Sequence, residues 1–311
     1  MSFDPIISGS LSFLVVLILM ALNVPIGISM LIVGFTGFAL ITGFEQALFV
    51  LGTAPFEAVS KYTLSVLPLF VLMGNLANRA NLSRNLYDAA YAVVGHYKGG
   101  LAMSTVGACA GFGMICGSSI ATAATMSQMA GPEMKRHGYS DALISGSVAS
   151  GGTLGIIIPP SVILIIYAYL TEQSIQQLFF AALIPGLIAV VLYMIAIRVY
   201  LLIYPDQGGH GEKMTTKDRI SALTKVFPIF LIFAIIMGGL YLGFFTATES
   251  AAVGVILVIL FIFLRGELTI ELLKNSIWDT IKTVGALYLI VIGASVFNFL
   301  ITVTQLPFTV V

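Results

Sequence analysis

Charged side chains are scarce in this sequence, since only 9% of its 311 residues are Asp, Glu, Lys or Arg. A soluble domain carries about 25% charged residues, so this chain has too little polar surface to face water. With 59% apolar residues, its composition is typical of a polytopic α-helical membrane protein. This composition excludes a secreted enzyme, a nucleic-acid binder and a disordered chain.

Cysteine and histidine are also rare. Cys109 and Cys116 are the only two cysteines, and no His lies near them at metal-ligand spacing, so we expect buried packing residues rather than a disulfide framework or a metal site. The three histidines, His96, His137 and His210, fall in predicted loops or arms, which argues against a proton relay. The first ten residues, MSFDPIISGS, lack the basic start of a cleavable signal, so the first apolar run is expected to be retained.

The few charged residues divide the chain into apolar segments. Nothing ionisable lies between Asp4 and Glu45, and one straight helix of that length would measure about 60 Å against a hydrocarbon core of roughly 30 Å. The sequence Asn23-Val24-Pro25 therefore splits this stretch into two spans. We predict eight membrane crossings, at residues 6–22, 25–43, 62–79, 141–171, 177–203, 226–245, 248–264 and 283–304.

Residues 99–132 are also uncharged, but they are rich in Gly, Ala, Ser and Thr rather than Leu, Ile and Val. Such a segment is either one span packed through small residues or a hairpin that enters the membrane and returns to the same side. The hairpin places almost every basic residue on one face, with only Lys61 on the other, whereas a single crossing divides them. The positive-inside rule therefore predicts a re-entrant hairpin at 99–132 and an N-terminus on the outside.

Three amphipathic stretches are predicted to lie at the membrane interface. They are residues 45–60 on the outside, and 82–98 and 267–282 on the inside. The hydrophilic segment 205–225 is the only substantial linker. Two acidic residues are interpreted as helix-start residues: Asp141 is predicted to cap the long span, and Glu249 to be capping or solvated rather than a functional intramembrane carboxylate.

The order of elements before the linker recurs after it, as span, short break, span, interfacial helix and span. Five crossings precede the linker, so the second part enters the membrane with opposite topology, which is typical of secondary transporters. We predict an all-α inverted-repeat fold with a first repeat over 1–204, a cytoplasmic linker over 205–225 and the start of a second repeat over 226–311. On this pattern about 120 further residues, with a second hairpin, are expected after Val311.

Polar groups within the predicted membrane segments cluster in two places. One is the hairpin tip, with Ser118, Ser119, Thr122 and Thr125, and the other is SGGTLGIIIPPS, from Ser150 to Ser161. The two prolines remove backbone donors and disrupt a helix, and unwound backbone exposes carbonyl oxygens that, with hydroxyls, suit a hard cation such as Na⁺. A proline-kinked helix packed through small residues is the alternative, and these residues alone leave it open.

Both clusters belong to a longer stretch, GSSIATAATMSQMAGPEMKRHGYSDALISGSVASGGTLGIIIPPS, which resembles the large membrane subunit (DctM-type permease) of tripartite ATP-independent periplasmic (TRAP) transporters. The segments LPLFVLMGNLANRA, VGHYKGGLA, LFFAALIPGL and FFTATESAAVG are similar to the same family. The resemblance implies a Na⁺-driven importer of organic acids, such as dicarboxylates or sialic acid, in the bacterial inner membrane with a periplasmic N-terminus. It also implies an elevator-type fold with two hairpins, a small four-span membrane subunit and a periplasmic substrate-binding protein.

The resemblance further implies which residues carry the function. Ser118 and Ser119 at the hairpin tip, with the Gly155–Pro160 stretch that ends in Pro159 and Pro160, are expected to build one Na⁺ site. Neighbouring small and polar residues are the candidates for the substrate cavity: Thr122, Thr125, Gly152, Thr153 and Ser161. Na⁺ is expected as the coupling ion, with no cofactor, no other metal and no catalytic residue.

Other functions fit the sequence less well. A single-component Na⁺/carboxylate symporter of similar architecture is the alternative within transport, and it differs in needing no partner protein. An intramembrane enzyme would need paired acids, a His cluster or a nucleophile–base pair at depth, and residues 99–171 contain no such set. A channel is disfavoured because no segment resembles a repeated pore filter. The expected contacts are the two partner subunits, the organic-acid substrate and membrane lipid.

Overall fold

A computed structural model describes residues 5–306, and this part of the chain is almost entirely helical. Short 3₁₀ turns at Tyr62–Ser65 and Pro205–Gln207 accompany the α-helices. The α-helices are α1 (Pro5–Ala21), α2 (Ile26–Thr42), α3 (Phe44–Ser60), α4 (Val66–Arg79), α5 (Leu82–Val94), α6 (Gly100–Cys116), α7 (Ser119–Arg136), α8 (Asp141–Ile157), α9 (Val162–Leu170), α10 (Ile175–Ile203), α11 (Thr216–Tyr241), α12 (Ala247–Leu264) and α13 (Ile270–Val303).

Helix length and hydropathy identify a polytopic membrane protein. α10, α11, α12 and α13 are each long and apolar enough to cross a membrane. The number rises to six if two helix pairs that are separated by short breaks each form one span, namely α3 with the segment 62–79 and α8 with α9. α1, α2 and α6 are apolar but shorter. Each of the eight predicted crossings overlaps a helix or one of these helix pairs. Helix length and composition alone identify up to six spans.

Two helices of the second half differ from the prediction. α11 begins at Thr216 rather than at 226, because Thr215 caps it by accepting a hydrogen bond from the Asp218 backbone N–H (3.3 Å). The predicted linker 205–225 is therefore partly helical. α13 runs for 34 residues through both the predicted interfacial helix 267–282 and the predicted span 283–304. The predicted separation of these two elements was wrong, because no proline interrupts the helix between them.

Of the two capping predictions, that for Asp141 was wrong and that for Glu249 is confirmed. Ser140, not Asp141, caps α8, since its Oγ accepts a hydrogen bond from the Leu143 backbone N–H (3.2 Å). Asp141 is instead the first residue of the helix. The capping role of Glu249 is confirmed, because its carboxylate accepts from the Thr246 backbone N–H (2.8 Å) while Thr246 Oγ1 accepts from the Glu249 N–H (3.3 Å).

One compact unit consists of the described residues up to Ser65 together with those from Ile281 onward. Within it, α2 and the second half of α13 approach backbone to backbone. A Cβ built on Gly27 would lie 2.6 Å from the Leu289 carbonyl oxygen, and one on Gly293 would lie 2.2 Å from the Gly27 carbonyl oxygen. Small residues are therefore required for this close helix packing.

The second unit runs from Val66 to Thr280, and α6 is its central helix. α6 has 14 of its 17 residues buried and packs against α4, α5, α7, α8 and α10. A Cβ on Gly113 would lie only 2.9 Å from the Gly155 Cα, so α6 and α8 also meet at glycines. The small-residue composition of this segment allows the helices around it to pack closely.

The two units do not follow the predicted repeats 1–204 and 226–311. Residues 66–204 share a unit with residues 205–280, and the ends of the described chain form the other. The inverted repeat stays a prediction.

Candidate functional site

The segment predicted as a hairpin folds as two antiparallel helices, α6 and α7. Gly117 adopts a left-handed conformation (φ 63°) between them, and Ser118 caps α7 by accepting a hydrogen bond from the Ala121 backbone N–H (3.3 Å). At the other end of the pair, Thr105 Oγ1 in α6 lies 3.6 Å from Met134 Sδ in α7. The chain therefore reverses at the predicted tip, and its re-entry into a membrane stays a prediction.

A single tyrosine joins the open ends of the hairpin to the linker. The Leu101 backbone N–H donates to Tyr139 Oη (3.2 Å), and the Tyr139 hydroxyl donates to the Gly209 carbonyl oxygen (3.0 Å). The Gly99 N–H donates to the same carbonyl (3.2 Å). Burial raises the pKa of Tyr139 to about 12, so the hydroxyl keeps its proton at neutral pH. Both ends of the hairpin are thus held together.

The hairpin tip packs on the break between α8 and α9. The Val162 backbone N–H donates to the Gly117 carbonyl oxygen (3.3 Å). A Cβ on Gly117 would lie 2.7 Å from the Pro160 carbonyl oxygen and 3.5 Å from the Ser161 Cα. Ser161 is fully buried and caps α9, with its Oγ accepting from the Leu164 N–H (3.4 Å). The two segments that the sequence singled out therefore touch each other directly.

Gly155 makes the closest contact from α8 to the hairpin. A Cβ at this position would lie 2.7 Å from Thr122 Oγ1 and 2.9 Å from the Ser118 carbonyl oxygen. Thr122 is fully buried, and its hydroxyl donates to that same carbonyl (2.7 Å). One turn earlier, a Cβ on Gly152 would lie 2.8 Å from the Ala123 Cβ. Only glycine allows α8 to approach these oxygen atoms.

The polar atoms at this contact are uncharged oxygen atoms, which can act as ligands of a cation. Hydroxyl and main-chain carbonyl oxygens come from the hairpin tip (Ser118, Thr122) and from the break (Pro160). Hard cations such as Na⁺ take oxygen ligands, whereas transition metals prefer imidazole and thiolate. Among residues 5–306, no group of three or more His, Cys, Asp or Glu side chains is arranged to hold a metal ion. The oxygen atoms present are of the kind that an alkali cation takes as ligands.

Most of the predicted site residues lie at this contact, and two do not. Thr153 instead shares a hydrogen bond with the Tyr193 hydroxyl of α10 (3.1 Å). Thr125 lies farther along α7 and donates to Asn78 Oδ1 of α4 (3.2 Å). The residues brought together at the tip and the break are Ser118, Ser119, Thr122, Gly152, Gly155, Pro160 and Ser161, and Pro159 directly precedes Pro160.

The sequence analysis missed the polar face of α4. Besides Asn78, Asn75 donates from Nδ2 to Thr280 Oγ1 (3.0 Å), and Arg79 forms an ion pair with Asp279. These α4 residues border a polar cavity of about 510 Å³. Their i, i+3, i+4 spacing in an otherwise apolar helix was the available signal, because it places all three on one helix face.

Comparison with known proteins gives a consistent result. The sequence model of the family described as "Tripartite ATP-independent periplasmic transporter, DctM component" matches residues 13–311. The C4-dicarboxylate TRAP transporter large permease protein of Pseudomonas aeruginosa is 34% identical over 253 residues, covering 81% of this chain and 59% of the relative. The sialic acid TRAP transporter large permease protein of Vibrio cholerae is 31% identical, covering 80% of this chain and 58% of the relative.

A third relative, the ectoine/5-hydroxyectoine TRAP transporter large permease protein of Ruegeria pomeroyi, is 28% identical over 305 residues, covering 95% of this chain and 69% of the relative. The chain spans somewhat more than half the length of the dicarboxylate and sialic acid permeases. All three relatives are transport proteins rather than enzymes. Because the family model covers nearly the whole sequence, the chain belongs to the DctM component family of tripartite ATP-independent periplasmic transporters.

Proposed function

We propose that this chain is the substrate-translocating membrane subunit of a Na⁺-coupled importer of organic acids in the bacterial inner membrane. The observation that carries the proposal is the direct packing of the hairpin tip on the α8–α9 break, where the Pro160 carbonyl oxygen lies near Gly117 and the oxygens of Ser118 and Thr122 lie near Gly155. The relatives are named for C4-dicarboxylate, sialic acid and ectoine. These compounds all carry a carboxylate, so the substrate class is an organic acid.

In this proposal Na⁺ binds at the contact between the tip and the break. The ligands are the Ser118 carbonyl oxygen, Thr122 Oγ1 and carbonyl oxygens of the break that ends in Pro159 and Pro160, with Ser119 beside them. The Ser118 hydroxyl caps α7, and the Ser118 carbonyl oxygen accepts from the Thr122 N–H and hydroxyl, so Na⁺ would compete with existing hydrogen bonds at either group. An ion held by both segments would favour their contact, because oxygen atoms of both would bind the same cation. Binding and release of Na⁺ would thereby favour different arrangements of the hairpin.

The substrate cavity is proposed to adjoin this ion site. Thr122, of the predicted cavity set, lies at the tip, and Gly152 and Ser161 lie against the hairpin. Thr125 contributes through its hydrogen bond to Asn78, which extends the polar surface towards α4. Thr153 faces Tyr193 and is therefore proposed as a packing residue.

The free energy that Na⁺ entry releases favours more than one coupling ion for each substrate. A Na⁺ entering down about 100 mV releases roughly 2.3 kcal/mol, and a tenfold gradient adds about 1.4 kcal/mol. One Na⁺ with a monoanion is electroneutral, so it retains only the gradient term of about 1.4 kcal/mol. Two Na⁺ with a monoanion retain about 5 kcal/mol, enough for accumulation beyond a thousandfold. The tip contact is proposed to hold one of these ions.

The proposed arrangement in the membrane places the N-terminus in the periplasm and both ends of the hairpin on the cytoplasmic side. A re-entrant hairpin of this kind, within an inverted-repeat, elevator-type fold, would carry the site between the two faces. The open ends of the hairpin and the linker are bonded to one another through Tyr139 and Gly209, which supports placing them on one face.

The proposed partners are a small four-span membrane subunit and a periplasmic substrate-binding protein. The relatives are named large permease proteins of TRAP transporters, which supports a division of labour among subunits. Proteoliposomes test this proposal and its alternative, a single-component symporter. We expect uptake of a labelled dicarboxylate or sialic acid only when both partners and an inward Na⁺ gradient are present. Uptake by the large subunit alone, or uptake with K⁺ in place of Na⁺, would contradict the proposal.

A further inference from the structure

A small cavity lies at the open end of the hairpin, between the segment that precedes α6 and the last turns of α10. Its volume is about 200 Å³, and it is lined by Lys98, Arg198, Leu201, Leu202 and Pro205. All five residues belong to the unit Val66–Thr280. The proposed Na⁺ site at the hairpin tip does not use this cavity.

Local packing holds the two basic residues of the cavity beside each other. Arg198 Nη1 donates a hydrogen bond to the Lys98 carbonyl oxygen (3.2 Å), so the guanidinium lies at the start of the hairpin. One residue later, a Cβ on Gly99 would collide with Leu201 Cδ1 of α10. Lys98 also forms an isolated antiparallel β-bridge with His210 of the linker. The backbone that carries Lys98 is therefore held against both α10 and the linker.

The positive charge of this pair is not balanced within the part of the chain that the structure describes. Among residues 5–306, no acidic side chain forms an ion pair with Lys98 or Arg198, and this includes Asp206 and Glu212 of the adjoining linker. A guanidinium has five N–H donors, and the hydrogen bond to the Lys98 carbonyl uses one of those of Arg198. Two cations with unused donors therefore meet at one cavity, which favours an anionic ligand.

The surface of α10 indicates that this anion is part of a lipid. α10 is long and apolar enough to cross a membrane, and only 11% of its most apolar stretch is buried in the protein. Exposed apolar side chains continue along α10 up to the cavity, namely Val191, Leu192, Ile195, Val199 and Leu202. Sites that enclose a small molecule measure about 300–1,000 Å³. A smaller cavity beside an exposed apolar surface suits a headgroup whose acyl chains lie outside it.

Two tyrosines at the end of α10 indicate that the cavity lies near a membrane–water interface. The ring centroids of Tyr200 and Tyr204 are 5.1 Å apart, and Tyr204 follows the last residue of α10. Tyrosine is enriched at such interfaces, and basic side chains near the ends of spans extend to the headgroup level. Basic pockets between membrane helices recognise anionic headgroups. The cavity combines these features at one place.

We propose that Lys98 and Arg198 bind the phosphate of an anionic phospholipid whose acyl chains lie along the exposed face of α10. The planar guanidinium of Arg198 would bind two phosphate oxygens, and Lys98 would add a second positive charge. An anionic lipid such as phosphatidylglycerol is favoured over phosphatidylcholine, because a choline group would bring a further positive charge close to the same two cations. The lipid belongs to the leaflet at the open end of the hairpin.

The first experiment measures the melting temperature of the purified protein in a neutral detergent during titration with short-chain phosphatidylglycerol. We expect a saturable rise that phosphatidylcholine of the same chain length does not produce. Arg198→Gln and Lys98→Gln should each raise the half-saturating concentration at least fivefold, and the double variant should show no saturable response. Arg198→Lys keeps the charge but loses the planar fork, so its half-saturating concentration should lie between those of wild type and Arg198→Gln.

Lys217→Gln is the matched control for the loss of one positive charge. Lys217 is an exposed residue of α11 outside the cavity lining, and its replacement should leave the titration unchanged. An equal loss of response in Lys217→Gln would show a general attraction of anionic lipid to basic side chains and would overturn the proposed site. Native mass spectrometry provides a readout that does not depend on stability, with one phosphatidylglycerol retained by wild type and none by the double variant.

Inorganic phosphate distinguishes a lipid headgroup from a free anion. Sodium phosphate, compared with sodium chloride at equal Na⁺ concentration, should not stabilise the protein. If phosphate stabilises wild type but not Arg198→Gln, the cavity binds a free anion and the lipid assignment is wrong. The proposal is also overturned if phosphatidylglycerol stabilises the protein no more than phosphatidylcholine does, as expected if a protein partner covers this face of α10, or if the double variant responds as wild type does.

Discussion

Replacing Gly155 by alanine perturbs the proposed ion site most directly. The added Cβ would lie 2.7 Å from Thr122 Oγ1 and 2.9 Å from the Ser118 carbonyl oxygen, whereas ordinary van der Waals contact begins at 3.4 Å. The hairpin tip and α8 must therefore separate by about 0.5–0.7 Å. Overpacking of this kind costs about 1–3 kcal/mol. Since the separation pulls the proposed ligands apart, we expect that cost to appear in Na⁺ binding.

The expected result is a rise of about ten- to a hundredfold in the Na⁺ concentration for half-maximal uptake. The assay is uptake of labelled substrate by the reconstituted transporter, titrated with Na⁺ at constant ionic strength. Gly146→Ala is the matched control, because Gly146 lies in the same helix and an added Cβ there meets nothing within 4 Å. If Gly155→Ala transports normally with the wild-type Na⁺ dependence, the contact serves helix packing and not ion binding.

Two further predictions concern the hairpin as a whole. Cysteines introduced at Lys98 and Lys135, next to its two ends, should react with impermeant reagents from the cytoplasmic side only; labelling from opposite faces would show that 99–132 crosses the membrane once. Tyr139→Phe should lower the free energy of unfolding by about 1–3 kcal/mol, because the buried Leu101 N–H loses its acceptor. Chemical denaturation measures this change. Tyr97→Phe, at a half-exposed position, should unfold as wild type does, and equal stability of all three proteins would contradict the proposed role of Tyr139.

The sequence allowed the helical hairpin and the α8–α9 break to be predicted, and both for physical reasons. Small, uncharged residues over 99–132 allow two helices to pack closely against each other and against their neighbours. The Pro159-Pro160 pair cannot continue a helix, so the break between α8 and α9 follows from backbone chemistry. These features are local, and a single sequence is sufficient to reveal them.

Side-chain directions could not be predicted in the same way. Thr122 and Thr125 are three residues apart on α7, yet one faces Gly155 and the other Asn78. Thr153 was grouped with the substrate cavity, but the rotation of α8 directs it to Tyr193. Such directions depend on helix rotation and on packing partners that are distant in sequence, so residue type and spacing alone do not determine them.

Helix ends were predicted less well than helix identities. The charged residues near 267–282 predict a membrane interface, but they do not end the helix, since α13 is continuous from Ile270 to Val303. Similarly, the polar residues before 226 are helical, because Thr215 caps α11 and the helix begins at Thr216, ten residues before the predicted start. Charged residues indicate where a membrane segment is expected to end, whereas capping residues determine where a helix begins.

The central claim is that the contact between the hairpin tip and the α8–α9 break binds Na⁺. Isothermal titration calorimetry of Na⁺ binding to the purified subunit tests it, with Thr122→Val as the variant and Thr153→Val as the matched control. Thr122 Oγ1 lies at the contact, whereas the Thr153 hydroxyl is bonded to Tyr193. The account predicts a dissociation constant for Na⁺ at least tenfold higher in Thr122→Val and unchanged in Thr153→Val. Wild-type Na⁺ affinity in Thr122→Val would contradict it.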